Sequence, residues 1–415
     1  MSFRHWRIEE NLGIATLTLD VEGASANILS HAVLDEFDKL LADLAGKPLT
    51  GVILRSAKSS FIVGADVTEF RHITDSARAA DLARGGQYIF ERLAKLPFPS
   101  VAVIQGYCLG GGLELVLACT YRVAREDDAT RLGSPEVKLG IHPGFAGTVR
   151  LPPLVGDLTA LNLMLTGRTV TARAAKRMGL VDEIVPERHL LHAALALLAK
   201  HPKPRRAKWW QRVPSWMPLR VPVAKLIERG VAARANPDHY PAPYRILELW
   251  RGQASQEEEA RSLGELLVGR TSRNLVNVFL LGEELKRRGK KHEHHIEHVH
   301  VVGAGVMGAD IAIWAASHGF QVSLQDRHAE VLGRAVQKAF GFYKKKLKTA
   351  RAVEEAMDRL MPDLHGDGLA RADLVIEAIV ENVDAKRKLF EQIEARVRPG
   401  ALLATNTSSI PLEDI

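Results

Sequence analysis

Three consecutive glycines, Gly110, Gly111 and Gly112, stand directly before an apolar run whose single charge is Glu114, in the stretch GYCLGGGLEL at 106–115. A glycine run at a helix start lets a ligand approach the main chain, and it leaves free N–H groups where the helix dipole favours negative charge. A carboxylate inside an apolar helix has its pKa raised by burial toward the range useful for proton transfer. The plainer alternative is that the glycines serve tight packing and Glu114 is solvated. Two further segments favour chemistry. FIVGADVTEF (61–70) joins an apolar strand end to a Gly-Ala-Asp turn that can present the Ala65 N–H. GSPEVKLGIHPGFAGTVRLP (133–152) sets Glu136 among apolar neighbours in a loop punctuated by Pro and Gly. Two amide donors with two carboxylates suit the formation and protonation of an enolate.

The elements that must position these groups alternate strand and helix. IATLTLD (14–20) reads as a strand, and HAVLDEFDKLLADL (31–44) places Val33, Leu34, Phe37, Leu40, Leu41 and Leu44 at helical spacing. GVILRSA and SVAVIQG (100–106) are short, nearly continuous apolar runs, as expected of strands covered on both faces. From about 155 to 285 the signals are mostly helical, and GKKHEHHIEH (289–298) carries no apolar period. A new strand, VHVVGAG, follows, which puts a domain boundary near residue 295. Five histidines between His292 and His300 read as a polar connector rather than a metal site.

The three segments around Ala65, Gly111 with Glu114, and Glu136 resemble, in this order, the crotonase (enoyl-CoA hydratase) superfamily over roughly residues 5–190. The resemblance implies an α/β fold built as a crotonase-like spiral of ββα turns. It implies an acyl-CoA thioester carbonyl held between the Ala65 and Gly111 N–H groups. It also implies that Glu114 and Glu136 hold a water and move protons during addition across the 2,3 double bond. Glu114 is assigned to activating the water and Glu136 to delivering the proton at C2. The presence of both acids favours hydration over double-bond isomerisation. The competing readings are a Δ3,Δ2-enoyl-CoA isomerase and a non-catalytic acyl-CoA or NAD-binding scaffold for a thiolase.

HVHVVGAGVMGADIAIWAASHGFQVSLQD (298–326) runs strand, Gly303-x-Gly305-x-x-Gly308, helix, then a strand ending at Asp326. Such glycines open a helix N-terminus toward a pyrophosphate, and the acid can hold the adenosine ribose hydroxyls, which argues for NAD over NADP. With ADLVIEAIVENVDAKRKLF (372–390) and LLATNTSSI (402–410), this part resembles the 3-hydroxyacyl-CoA dehydrogenase family. That resemblance places Met307, Asp326, Glu381 and Lys386 at the dinucleotide and Ser408 at the nicotinamide and substrate. The family's catalytic His and its partner Glu, and a helical dimerisation domain, come later than Ile415. Dehydrogenase activity is therefore expected only of a longer chain. A hydratase followed by a dehydrogenase resembles the multifunctional α-subunits of fatty-acid β-oxidation complexes, here in truncated form. The expected partition is 1–190 hydratase, 191–297 helical extension and linker, and 298–415 partial Rossmann-type NAD domain. The hydratase part needs no cofactor, and a thiolase β-subunit is the implied partner.

Composition sets the outer bounds. With 415 residues, 46% of them hydrophobic, the chain exceeds the ~250–300 residues at which single cores stop growing. Only Cys108 and Cys119 occur, which gives no disulfide framework or metal-ligand spacing and fits a reducing, cytoplasmic setting. The start, MSFRHWRIEENLG, reads as neither signal nor transit peptide, and no apolar run is long enough to span a membrane. The +7 formal charge lies in basic clusters at 203–212, 286–291 and 344–348. These are read as solvated faces, with peripheral contact to an anionic membrane surface or partner as the functional alternative. Nucleic acid is disfavoured for lack of a zinc-finger or aromatic RNA-binding pattern. An oligomer is expected.

Overall fold

The computed structural model describes residues 3–289, 295–347 and 349–415. His292 and His294 of the connector, and Lys290, Lys291 and Lys348 of the basic clusters, lie outside the described residues. The chain forms two compact units, Met1–Lys286 and Arg287–Ile415.

The first unit is built on strands β1 (Trp6–Asn11), β2 (Ile14–Leu19), β3 (Gly51–Ser56), β4 (Ser100–Ile104), β5 (Tyr107–Leu109), β6 (Tyr121–Arg125), β7 (Arg131–Gly133), β8 (Thr169–Thr171) and β9 (Glu183–Val185). Six of them form one sheet in the order β1-β2-β3-β4-β6-β9, and β5-β7-β8 form a second. Only the β1–β2 pair is antiparallel in the larger sheet. The chain enters the larger sheet at β4 and crosses to the smaller at β5; it repeats the step at β6 and β7. Ile62 bridges Cys108 in the same way after β3. Each turn of this spiral therefore contributes one strand to each sheet before a helix or loop returns the chain.

The apolar runs that read as doubly covered strands are so: Val52, Ile53 and Leu54 of β3 and Val101, Ala102 and Ile104 of β4 are all at most 1% exposed. The helix His31–Ala45 buries all six residues expected from its period, and its N-cap Ser30 accepts from the Val33 N–H. Cys108 and Cys119 are buried free thiols.

The helical extension does not stand apart from this spiral. The helix Gln256–Leu267 packs on the helix Ser76–Ala94 so closely that a Cβ on Gly264 would fall 2.3 Å from the Ser76 carbonyl oxygen. The residues expected as a separate extension up to 297 thus belong, as far as Lys286, to the first compact unit.

The second unit holds β10 (His298–Val302), β11 (Gln321–Gln325), β12 (Leu360–Asp363), β13 (Leu374–Glu377) and β14 (Leu402–Thr405). They form one fully parallel sheet in the order β12-β11-β10-β13-β14. Strand order reverses between β10 and β13, and in doubly wound sheets the ligand crevice opens outside the carboxyl ends at such a point.

Among the described residues no helix is long and apolar enough to cross a membrane, and no group of three or more His, Cys, Asp or Glu could hold a metal ion.

Candidate active site

Two positions of the glycine run require glycine. Gly110 ends β5 with φ +54, a left-handed conformation that turns the chain into the helix Gly111–Ala118. A Cβ on Gly112 would lie 2.5 Å from the Ile62 carbonyl oxygen, so this helix can approach the neighbouring loop only with glycine there. All eight residues of the helix are buried, and Glu114 is 3% exposed. The reading of Glu114 as a solvated helix residue is excluded.

Glu114 Oε1 accepts from the Phe145 and Gly147 N–H groups at 2.7 and 2.8 Å. These amides belong to the N-terminal end of the helix Gly147–Val155, where free N–H groups favour an anion. Glu136 begins the one-turn 3-10 helix Glu136–Leu139. Both of its carboxylate oxygens are shielded from solvent and have no partner in hydrogen-bond geometry. Burial pushes Glu136 up to about 7. Glu114 is raised well above the ordinary carboxylate range, first by burial and then by the nearby charges of Glu136 and Glu259. The two acids form a coupled pair whose protons belong to the pair rather than to either member.

Ala65 and Gly111 line the same cavity as Glu114 and Glu136, a space of about 480 Å³. Leu29 pairs with Ala65 through the Gly64 carbonyl and the Asp66 N–H, which leaves the Ala65 N–H without an acceptor among the described residues. Gly111, as the first residue of its helix, likewise donates no hydrogen bond among the described residues. The four residues singled out in the sequence are therefore brought to one cavity.

The structure adds groups that the sequence reading missed. Glu259 of the helix Gln256–Leu267 is fully buried and accepts from the Ala146 N–H at 2.6 Å, the Thr148 N–H at 2.9 Å and the Thr148 hydroxyl. Gln87 Nε2 donates to it at 3.1 Å. Its signal lay in spacing, because Glu259 shares one helical face with the apolar Leu263, Leu266 and Leu267, all in contact with the core. His142, also on the cavity wall, is buried with its ring against Pro143 O and the Ser262 hydroxyl; burial lowers it to about 4, so it is neutral.

In the second unit the glycine signature sorts into distinct roles. A Cβ on Gly308 would collide with the Gly303 carbonyl oxygen at 1.8 Å, and one on Gly303 with the Ala378 oxygen at 2.6 Å. At Gly305 nothing lies within 4 Å, so that position faces open space at the start of the helix Val306–Ser317. Met307 is exposed beside it. Asp326, just past β11, accepts from the Ala304 N–H at 2.9 Å and the His328 N–H at 3.0 Å. These residues fit a dinucleotide phosphate near Gly305.

Lys386, which the resemblance placed at the dinucleotide, is turned inward in this unit. Its side chain is fully buried, with Nζ 2.8 and 2.7 Å from the two Glu377 oxygens and 3.3 Å from Glu381 Oε2. An ammonium has three N–H donors, and three carboxylate oxygens surround this one. Lys386 thus holds Glu381 and is not itself presented to a ligand. Glu381 in turn accepts from the Thr407 hydroxyl at 2.5 Å and the Ser408 N–H at 3.2 Å. The Thr407 hydrogen bond leads in holding its carboxyl down to about 2.

Comparison with known proteins agrees with this division. Residues 9–209 match the family described as "Enoyl-CoA hydratase/isomerase", and residues 298–415 match "3-hydroxyacyl-CoA dehydrogenase, NAD binding domain". The chain is 37% identical over 421 residues to the fatty acid oxidation complex subunit alpha of Vibrio cholerae, covering 97% of this chain and 60% of that protein. For the same-named subunit of Vibrio campbellii the identity is 36% over 429 residues, covering 99% and 60%. The chain spans about 60% of the length of these curated relatives. Among solved structures, the enoyl-CoA hydratase from Bacillus anthracis is 28% identical, covering 60% of this chain and 92% of that one, with a TM-score of 0.44. The chain thus carries an enoyl-CoA hydratase/isomerase domain over residues 9–209 and a 3-hydroxyacyl-CoA dehydrogenase NAD-binding domain over residues 298–415, and its similarity to fatty acid oxidation complex alpha subunits runs across both.

Proposed function

We propose that the first unit hydrates trans-2-enoyl-CoA thioesters to 3-hydroxyacyl-CoA. The observation that supports this best is the convergence of two unused amides, Ala65 and Gly111, and two raised carboxyls, Glu114 and Glu136, on one cavity. The thioester oxygen would take both N–H groups. As water adds to C3, negative charge moves onto that oxygen, and fixed donors favour the enolate-like transition state over the ground state. Glu114 removes a proton from the water as its oxygen bonds to C3. Glu136 gives a proton to C2 as the double bond is lost. The donor pattern supports that allocation: Glu114 keeps two amide N–H bonds that favour its charged form, while Glu136 meets no donor in full hydrogen-bond geometry and feels only the weaker pull of its own N–H and the Ser134 side chain, which makes it the better place for the proton.

The test is hydration of crotonyl-CoA by the full chain without NAD, followed by loss of the conjugated thioester absorbance. No turnover, or turnover confined to shifting a 3-enoyl-CoA double bond, would reject the reading. The pH dependence has a definite sign. Hydration needs one proton on the pair, so kcat/KM should fall at high pH, where the pair loses it, and fall again in acid, where the pair gains a second, with both limbs above the ordinary carboxylate range.

For the second unit we propose NAD binding, with Gly305 and the helix N-terminus at the pyrophosphate, Asp326 at the adenosine ribose, and Glu381 and Ser408 toward the nicotinamide end. Bound NAD supplies a hydride acceptor; the protein's part at these residues is to hold and orient it. Gly305→Ala should keep the fold, since a Cβ there meets nothing, yet weaken NAD binding about tenfold or more in a calorimetric titration. Gly308→Ala should instead disturb the unit itself, visible as faster amide exchange in β10 and β11. Equal behaviour of the two variants would remove the assignment.

Cytoplasmic location, an oligomeric state and pairing with a thiolase subunit are proposed on the alpha-subunit relatives. A peripheral membrane contact is proposed on the exposed basic segment 203–212 with Trp209 and Trp210.

A further inference from the structure

The turn 145–148 is gripped from two sides. Its N–H groups alternate: Phe145 and Gly147 donate to Glu114, while Ala146 and Thr148 donate to Glu259. Ala146 holds a left-handed φ of +74, which is what lets successive amides face opposite ways. We propose that Glu259, reaching in from the helical extension, is a positioning residue for the paired acids, fixing the turn whose other two amides hold Glu114.

This inference rests on the hydratase reading of the cavity. Glu259 touches no reacting atom and acts through the turn and through its charge. Four donors surround its two oxygens: Gln87 Nε2 and the Ala146 N–H on one, the Thr148 N–H and hydroxyl on the other. Such a set favours the ionised form, against the burial that pushes Glu259 up to about 7. No cation neutralises it among the described residues. Arg84 of the helix Ser76–Ala94 is engaged by Asp81 and Glu257, and Arg150 by Glu91. Arg245 of the helix Ala242–Gly252 is engaged by Glu248 and Glu265. Arg261 of its own helix reaches Glu257, and His142 is neutral. The remaining charge faces the pair itself, raising both Glu114 and Glu136 and so favouring retention of the shared proton.

Charge and position separate in two variants of the full chain. Glu259→Gln removes the charge, and both limbs of the kcat/KM profile for crotonyl-CoA should move to lower pH by about half a unit or more. Glu259→Asp keeps the charge but shortens the reach, so the limbs should stay while kcat falls about tenfold with KM within about threefold. Thr148→Val, which removes one donor without touching Glu114, should lower kcat about fivefold at unchanged KM, and it serves if Glu259→Gln does not fold. Unmoved limbs in a folded Glu259→Gln, or wild-type kcat in Glu259→Asp and Thr148→Val, would overturn the inference while leaving hydration by the parent chain intact. A parent chain without turnover would overturn the hydratase reading and this one with it.

Discussion

Glu136→Gln should lower hydration of crotonyl-CoA by about 10²- to 10⁴-fold, the usual loss when a positioned proton donor is removed, while an unreactive acyl-CoA binds within a few-fold of the parent affinity. The expectation follows from the side chain's isolation. Both carboxyl oxygens are shielded and meet no donor in full hydrogen-bond geometry among the described residues, so the amide substitutes with little change in shape and disturbs at most the weak pull of the Glu136 N–H and the Ser134 side chain. What it removes is a proton at a raised carboxyl beside the cavity. Glu114→Gln should be of similar size by a different route: its amide oxygen can still accept from Phe145 and Gly147, but it cannot take a proton from water. Combined, the two substitutions should cost little more than one, because acids that act as a unit are not additive. Turnover within tenfold of the parent in either single variant would take that residue out of the mechanism.

The site was legible in sequence where its signals are local. Gly110 to Gly112 followed by Glu114 states a turn, a close approach and a buried acid within a few residues, and the structure needs glycine there for the reasons given. The helix His31–Ala45 and the β10-helix-β11 frame were legible for the same cause, since period and glycine spacing report on neighbours along the chain. Glu259 was not, although it shares an apolar face. Its partners Ala146 and Thr148 lie 113 and 111 residues earlier, and no local rule pairs them. The expected cut at 190 hid it further, by assigning its helix to an extension. Lys386 was placed at the dinucleotide by the resemblance alone: within DAKRKLF it stands beside Arg387 and Lys388, and nothing local signals that its helix turns it inward onto the end of β13.

Lys386→Met should destabilise the second unit by about 3–5 kcal/mol at neutral pH, the cost of leaving a buried charge without its partner. Glu377 is fully buried, and the methionine would leave it, among the described residues, with only the Ile379 N–H and the Thr405 hydroxyl, at 2.7 and 2.5 Å. Restoring neutrality with Lys386→Met and Glu377→Gln together should recover much of the loss, because the penalty belongs to the uncompensated charge rather than to the pair as such. Amide hydrogen exchange in β13 and β14 of the full chain reads the effect without assuming that the chain unfolds in one step. The consequence extends to function through Glu381, whose second oxygen loses the ammonium at 3.3 Å while its first still collects Thr407, Ser408 and Ser409. The 407–409 loop should therefore loosen as well, and NAD affinity should fall even at temperatures where the sheet remains protected. Unchanged exchange in β13 and β14 would mean that water or a rearranged neighbour satisfies Glu377, and that Lys386 is not the group fixing the carboxyl end of this strand.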